Sequence, residues 1–332
     1  MRAGRQDGDD ARRRADESLR SIEAGGLPPV ARARLAAFRD RGGSFTSDLS
    51  AAEFKLIRQA GFRPLAQVMG SCFYRLGDQY KPGTRRPGVY TPEGMEYTSI
   101  RSQGYEYDQI GRKVFQGAAF GQVFELDIHT EAWQEARRRA LGRLSEEARL
   151  VGADAVVGVR LRRGTYSWSG DLIEFVVVGT AVVSERFELG DEPVLSNLSG
   201  QEFAGLFAIG WWPVGMVAET SVIYVMTGRN QGVATRRFAP NQELGDFTHG
   251  INYARKMVRT RMQTAAKLLE AGGIVGVRIE IGRREEEHEG RKSGRQKDMV
   301  VTAHALGTAV AELAEHAAPP PVSLALTMDT VR

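Results

Sequence analysis

The chain has 332 residues, 42% of them hydrophobic and 26% charged, the mix of a soluble globular protein long enough for two domains. Lys and Arg number 45 against 41 Asp and Glu, and this net charge of +4 is too mild and too dispersed for a nucleic-acid partner. The single cysteine, Cys72, excludes an intramolecular disulfide and any Cys-x-x-Cys site. No apolar run approaches the length of about 18 residues that a membrane span needs, and the first residues are too polar for a secretory signal, so a cytoplasmic protein is expected.

In chain order, residues 1–43 open with Arg12, Arg13 and Arg14 among Asp9, Asp10, Asp16 and Glu17. Without apolar periodicity they predict a disordered basic tail and a short helix. From there the sequence repeats itself. Leu49, Ser50, Glu53, Phe54, Gly61, Pro64 and Val68 recur 149 positions later as Leu198, Ser199, Glu202, Phe203, Gly210, Pro213 and Val217. VVGVR at 156–160 recurs as IVGVR at 274–278, with Ala136 and Arg137 matching Ala254 and Arg255 at the same offset of 118. GTAV at 179–182 recurs at 307–310, offset 128. The falling and rising offsets place one insertion within 76–127 and a shorter one in the RREEEHEGRKSGRQKD stretch, both as surface loops.

Each copy predicts the same elements. A short helix starts at Ser50 or Ser199, with Glu53 or Glu202 at capping-box spacing, and ends at Gly61 or Gly210. A strand follows from Pro64 or Pro213. A long helix comes next, with apolar stripes Ala140, Leu141, Leu144, Ala148, Val151 and Ile251, Ala254, Val258, Met262, Ala265, Leu269. Gly152 and Gly272 are expected to stop these helices, and two strands complete each copy. The fold class is therefore α+β, with two tandem β-α-β-β domains at 44–190 and 191–314, each preceded by a short helix. Residues 315–332 form a Pro-rich tail whose VSLALTM segment alternates like a docked edge strand. In the last strand of the first copy Phe175, Val176, Val177 and Val178 read as apolar on both faces. One helix covers one face of a sheet, so these four are the expected oligomer interface.

GADAVVGVRL and the strand ending VGTAV resemble the YbjQ-type family, labelled as heavy-metal-binding domains; GGIVGVRI and LGTAV are a weaker match. The resemblance implies a dodecin-like β-α-β-β fold whose sheets assemble into a ring-shaped barrel, typically a pentamer. It implies no catalytic set. With two units per chain, two stacked rings of five chains or one ring of alternating units are open, and the diverged strand faces favour stacked rings.

The residues offer little for chemistry. The five histidines, His129, His249, His288, His304 and His316, form no helical pair and no His-Glu-x-x-His motif. The candidate metal ligands are His304, His288 and Glu286, against solvated charge in the Glu285–Glu289 loop and a satisfied core histidine at 304. Asp127 and His129 give at most two ligands, and Cys72 reads as a small buried residue. No nucleophile elbow, phosphate loop or dinucleotide fingerprint occurs, so no catalytic residue is assigned and no enzyme is expected. Tyr80, Tyr90, Tyr97, Tyr105 and Tyr107 among arginines read as a surface or subunit-contact loop rather than a single-strand stacking platform. The expectation is a non-enzymatic homo-oligomeric binding or scaffold protein with no cofactor. The alternatives are a divalent-metal sequestering protein, and a small-molecule carrier or enzyme with a pocket between subunits.

Overall fold

The computed structural model describes residues 3–41, 45–77, 101–102, 105–106, 122–166, 169–186, 192–227, 240–287 and 297–312. The VSLALTM segment, His288, His316 and most of the 76–127 insertion lie outside them.

The N-terminal region departs from the disorder expected of it. It forms helices α1 (Ala3–Glu23) and α2 (Pro29–Arg41). The junction is held by groups far away in sequence, which local pattern could not reveal. Arg143 donates to the carbonyls of Ile22 (2.9 Å) and Gly26 (3.3 Å), and Leu27 N–H donates to Glu146 (3.0 Å). Leu27 and Leu35 are buried in the main core.

The first half continues with α3 (Ala51–Gln59), β1 (Phe62–Arg75), the short hairpin β2 (Arg101–Ser102) and β3 (Tyr105–Glu106), β4 (Gln122–Glu125), α4 (Asp127–Leu150), β5 (Ala155–Tyr166) and β6 (Ser169–Ser184). The second runs β7 (Val194–Leu195), α5 (Gly200–Ala208), β8 (Trp211–Met226), α6 (Gly245–Leu268), β9 (Gly273–Glu287) and β10 (Lys297–Glu312). Ser50 with Glu53 and Ser199 with Glu202 form complete capping boxes on α3 and α5. Gly61 and Gly210 follow these helices with φ of 90° and 75°. The exits from the long helices differ. Gly152 takes the left-handed position after α4 (φ 75°), whereas after α6 that position belongs to Glu270 (φ 53°) and not to Gly272.

Two four-stranded sheets result, in the orders β1-β6-β5-β7 and β4-β8-β10-β9. Each borrows its outermost strand from the other half. β4, from the first half, pairs with β8. β7, which leads into the second half, pairs with β5, and the chain beyond it continues the contact through Gly158 N–H to Leu198 O (2.8 Å) and Val159 N–H to Ser196 O (2.9 Å).

The layers run sheet one, α4, sheet two, α6. α4 is buried on two sides. Towards sheet one it packs Ala140, Leu144 and Ala148 with Val68, Cys72 and Val177. A Cβ at Gly70 would collide with the Ala140 carbonyl, so the glycine permits this close approach. On the other side, Val222, Tyr224 and Val300 of sheet two join the same core. The opposite face of sheet two packs Val301, Ala303 and Ala305 against Ala254, Val258 and Met262 of α6. At one end the other face of sheet one packs Phe62, Ala155, Val157 and Val182 against Ile57 of α3 and Phe203 and Phe207 of α5, and the stretch beyond carries no layer among the described residues.

This arrangement corrects the expected interface. β6 alternates after all. Phe175 and Val177 are fully buried against α4, where burial within the chain leaves them nothing to offer a neighbour. Val176 and Val178 stand on the open face, half-buried. Beside them on β1, Met69 is 50% and Phe73 57% exposed.

Candidate functional site

A cavity among the described residues lies where α4 meets sheet two. It has a volume of about 610 Å³ and reaches the hairpin of β5 and β6 and the strand β9. His129 and Trp133 of α4 line it, and with Arg137 they recur every fourth residue and so share one helix face. Trp133 bridges the two sheets, edge-on to Phe175 (5.4 Å between centroids) and to His304 (4.8 Å). Arg137 is buried and donates to Thr220 Oγ1 at 2.6 Å. Burial lowers its guanidinium to about 10, opposed by Glu219 nearby, so it remains a cation at neutral pH. Thr220 Oγ1 also lies 3.0 Å from His304 Nδ1.

A second network locks the helix entry. Glu125 accepts from Arg261 through both oxygens (2.7 and 2.8 Å), from Ser221 (3.0 Å) and from Thr130 (3.2 Å). Arg261 also donates to the Thr220 carbonyl (2.8 Å). Its counterpart Arg143, at the 118 offset, donates to the Ser71 carbonyl, the counterpart of Thr220. Asp298 is buried and accepts from Tyr224 Oη and from Thr227 N–H (2.9 Å).

The expected metal ligands do not come together. His304 lies on β10 at the cavity wall. Glu286, on β9, accepts from Arg284 at 3.1 Å. Asp127 and His129 open α4, with His129 Nε2 3.1 Å from the Gly77 carbonyl. Among the described residues no three His, Cys, Asp or Glu side chains converge. The cavity lining contains Arg163, Arg283 and Arg284 and no described carboxylate. One imidazole with arginines nearby, and no second ligand beside it, does not make a divalent-cation site among the described residues. Burial, with Arg163 and Arg137 near, holds His304 well below its usual range and therefore neutral. Cys72 is buried among core residues, and burial raises its thiol. Trp133, Arg137, Arg163 and Thr220 went unmarked in the sequence. The signal available was an arginine inside the matched helical block, Arg137 with Arg255.

Comparison with known proteins places the chain. The family model described as "Putative heavy-metal-binding" matches residues 107–185. The UPF0145 protein PH1682 of Pyrococcus horikoshii is 42% identical over 106 residues, 30% of this chain and 89% of the relative. The chain belongs to the UPF0145 family. A longer relative, the encapsulin nanocompartment protein Rv1762c of Mycobacterium tuberculosis, is 32% identical over 270 residues, 78% of this chain and 86% of the relative. The UPF0145 protein of Enterococcus faecalis is 47% identical over 58 residues, 18% of this chain and 53% of the relative. No solved structure is a significant match. No described helix is long and apolar enough to cross a membrane.

Proposed function

We propose that the chain is a non-enzymatic, self-assembling scaffold made of two copies of one dodecin-like unit, 44–190 and 191–314, joined head to tail. The observation that carries this is the contact between the halves. α4 of the first unit covers the second face of sheet two, which bears Thr220, Val222, Val300 and His304. At the repeat offsets these are Ser71, Phe73, Leu172 and Val176 of sheet one, on a stretch that no described helix covers. α6 is the counterpart of α4, and its outward side, roofed by no described element, would cover that face in the next chain.

A second contact obeys the same logic. Ser196 to Leu198 hydrogen-bond the edge of β5 and also reach Thr308, where Asn197 N–H donates to Thr308 Oγ1 at 3.1 Å. Ser47 to Leu49 make the same contact with Thr180, Asp48 N–H donating at 3.1 Å. Their missing half would be the edge of β9 in a neighbouring chain, where Val277, the counterpart of Val159, is 46% exposed. Both contacts join unlike units, which favours one ring of alternating units over two stacked rings. A heterologous contact of this kind closes into a ring or runs on as a filament. The name of the mycobacterial relative supports placing such an assembly in a protein nanocompartment.

Native mass spectrometry of wild type and Phe73→Asp tests the reading. Wild type should be an oligomer, and Phe73→Asp a folded monomer by circular dichroism, because the carboxylate would be buried unpaired at the contact. A monomeric wild type, or intact assembly in the variant, would overturn it.

A further inference from the structure

Arg143 and Arg261 hold the same place in their halves, and each donates to a strand carbonyl, Ser71 in β1 and Thr220 in β8. What else they hold differs. Arg261 grips the Glu125 carboxylate through both terminal nitrogens, at 2.7 and 2.8 Å. Arg143 meets no carboxylate among the described residues. Its Nε and Nη2 donate instead to the carbonyls of Gly26 (3.3 Å) and Ile22 (2.9 Å), where α1 turns into α2. Two backbone carbonyls stand where the other half has a glutamate.

The chain carries a second copy of that glutamate. Glu243 follows Glu125 at the 118 offset, and the backbone beside it has the same form. Leu126 and Leu244 enter α4 and α6 with φ and ψ of −89° and 86° in one case and −88° and 83° in the other. Thr130 donates to Glu125 at 3.2 Å, and Thr248 to Glu243 at 2.8 Å. Only the first of these segments is docked. Residues 122–125 form β4 on the edge of β8, and Leu126 N–H donates to the Val222 carbonyl at 2.7 Å. Residues 240–243 join no sheet among the described residues, and Glu243 is exposed.

The N-terminal helices hold Arg143 shallowly. No described side chain of α1 is buried, Leu19 is 56% and Val30 67% exposed, and only Leu27 and Leu35 reach the core. Glu146 secures the junction through Leu27 N–H (3.0 Å) and Arg32 (2.8 Å), and the arginine is half-exposed, so water competes for it. A carboxylate that engages a guanidinium with both oxygens binds it more strongly than neutral carbonyls do.

We infer that Arg143 is the docking point for Glu243 of a second copy of this chain, and that the α1–α2 junction covers it until that copy displaces the junction. The inference deepens the contact proposed above and rests on it. It makes the N-terminal helices a brake on assembly, one that yields to a carboxylate already held in the docking geometry.

Hydrogen exchange read by mass spectrometry on the full-length protein, at concentrations below and above assembly, tests this without any substitution. On assembly residues 19–35 should exchange about tenfold faster or more, while 240–248 gain protection. Ultracentrifugation of full-length variants supplies a second reading. Glu243→Arg, at an exposed position, should raise the concentration of half-assembly about tenfold or more. Glu146→Ala, which loosens the junction alone, should lower it about threefold. The inference fails, with the wider contact intact, if wild type assembles and Phe73→Asp does not, yet residues 19–35 keep their protection or either of these variants assembles as wild type does. A wild type that stays monomeric at every concentration removes both.

Discussion

The two sheets are built on one plan, yet their second faces have different fates. On sheet two that face is roofed by α4 and contains a buried arginine, a threonine and a histidine in one hydrogen-bonded row, Arg137 to Thr220 to His304. On sheet one the equivalent stretch holds Ser71 and Val176, is roofed by no described helix, and leaves Met69 and Phe73 half-exposed. A polar row survives where the covering partner is fixed by the same chain and can be matched atom by atom. A face that meets solvent before it meets a partner carries a simpler apolar patch. In the proposed assembly the junction inside the chain is the template for the contact between chains, and the buried polar row is confined to that junction.

The largest effects should come from adjacent residues of β6 that face opposite ways. Val177→Asp puts a carboxylate into the core between sheet one and α4, where it has no partner, and should prevent folding. Val178→Asp puts the same group on the open face and should leave a folded but unassembled chain. The cost of burying an unpaired charge, several kcal/mol, is the same term in both, but only the first is charged to folding. Circular dichroism with native mass spectrometry separates the two. Equal behaviour of the pair would mean that β6 does not alternate as described.

Next in size is Gly70→Ala. The added methyl meets the Ala140 carbonyl of α4, a backbone atom that cannot swing aside. A loss of about 1–3 kcal/mol is expected in urea unfolding. The counterpart of Gly70 in sheet two is Glu219, which reaches Gln134 and Arg137 of α4. A neutral Gly70→Ala would place α4 further from β1.

The polar row predicts an acid sensitivity confined to sheet two. Burial lowers the His304 pKa far below 6.5. The unfolded chain takes up this proton as pH falls through 6.5, and the folded chain does not. Stability from this residue is therefore complete above 6.5 and declines below it, at up to about 1.4 kcal/mol per pH unit. His304→Val, which copies Val176, should flatten the melting temperature between pH 6.5 and 5. Glu135 has the opposite origin and a lower window. Hydrogen bonds from Arg138 and Arg139 pull it to about 2, so its contribution is full above 4.5 and fades towards 2. An undiminished slope between 6.5 and 5 in His304→Val would remove the histidine from the account.

What the sequence made legible follows from what is local. Capping boxes, helix stripes and strand order depend on neighbours within a few residues, and the repeat made each legible twice. The exchange of β4 and β7 between sheets depends on where the halves sit, which no periodicity encodes. Phe175 and Val177 were misread because four apolar residues in a row hide an alternation that only burial reveals. The docked N-terminal junction was missed for a similar reason: its anchors, Arg143 and Glu146, are charged residues on a distant helix. The row from Arg137 through Thr220 to His304 could not be foreseen, since Val176, aligned with His304, gives no hint of it. Arg163 lies outside the matched VVGVR block.

The smallest prediction concerns the two long-helix exits, and it isolates the backbone. Gly152 after α4 and Glu270 after α6 align at the 118 offset and both have positive φ, 75° and 53°. A residue with a Cβ loses about 1–2 kcal/mol in this conformation, and glycine loses none. No described atom lies within 4 Å of a Cβ built at Gly152, so Gly152→Ala should cost about that amount through conformation alone. Glu270 is exposed, so removing its side chain forfeits no packing. Glu270→Gly should therefore relieve the strain, and the greater freedom of an unfolded glycine returns part of the gain. A net stabilisation of about 0.5–1 kcal/mol is expected in urea unfolding. If Glu270→Gly is destabilising while Gly152→Ala costs what is stated, then Glu270 has a partner in the assembled protein, and the exposed end of α6 belongs to the contact between chains.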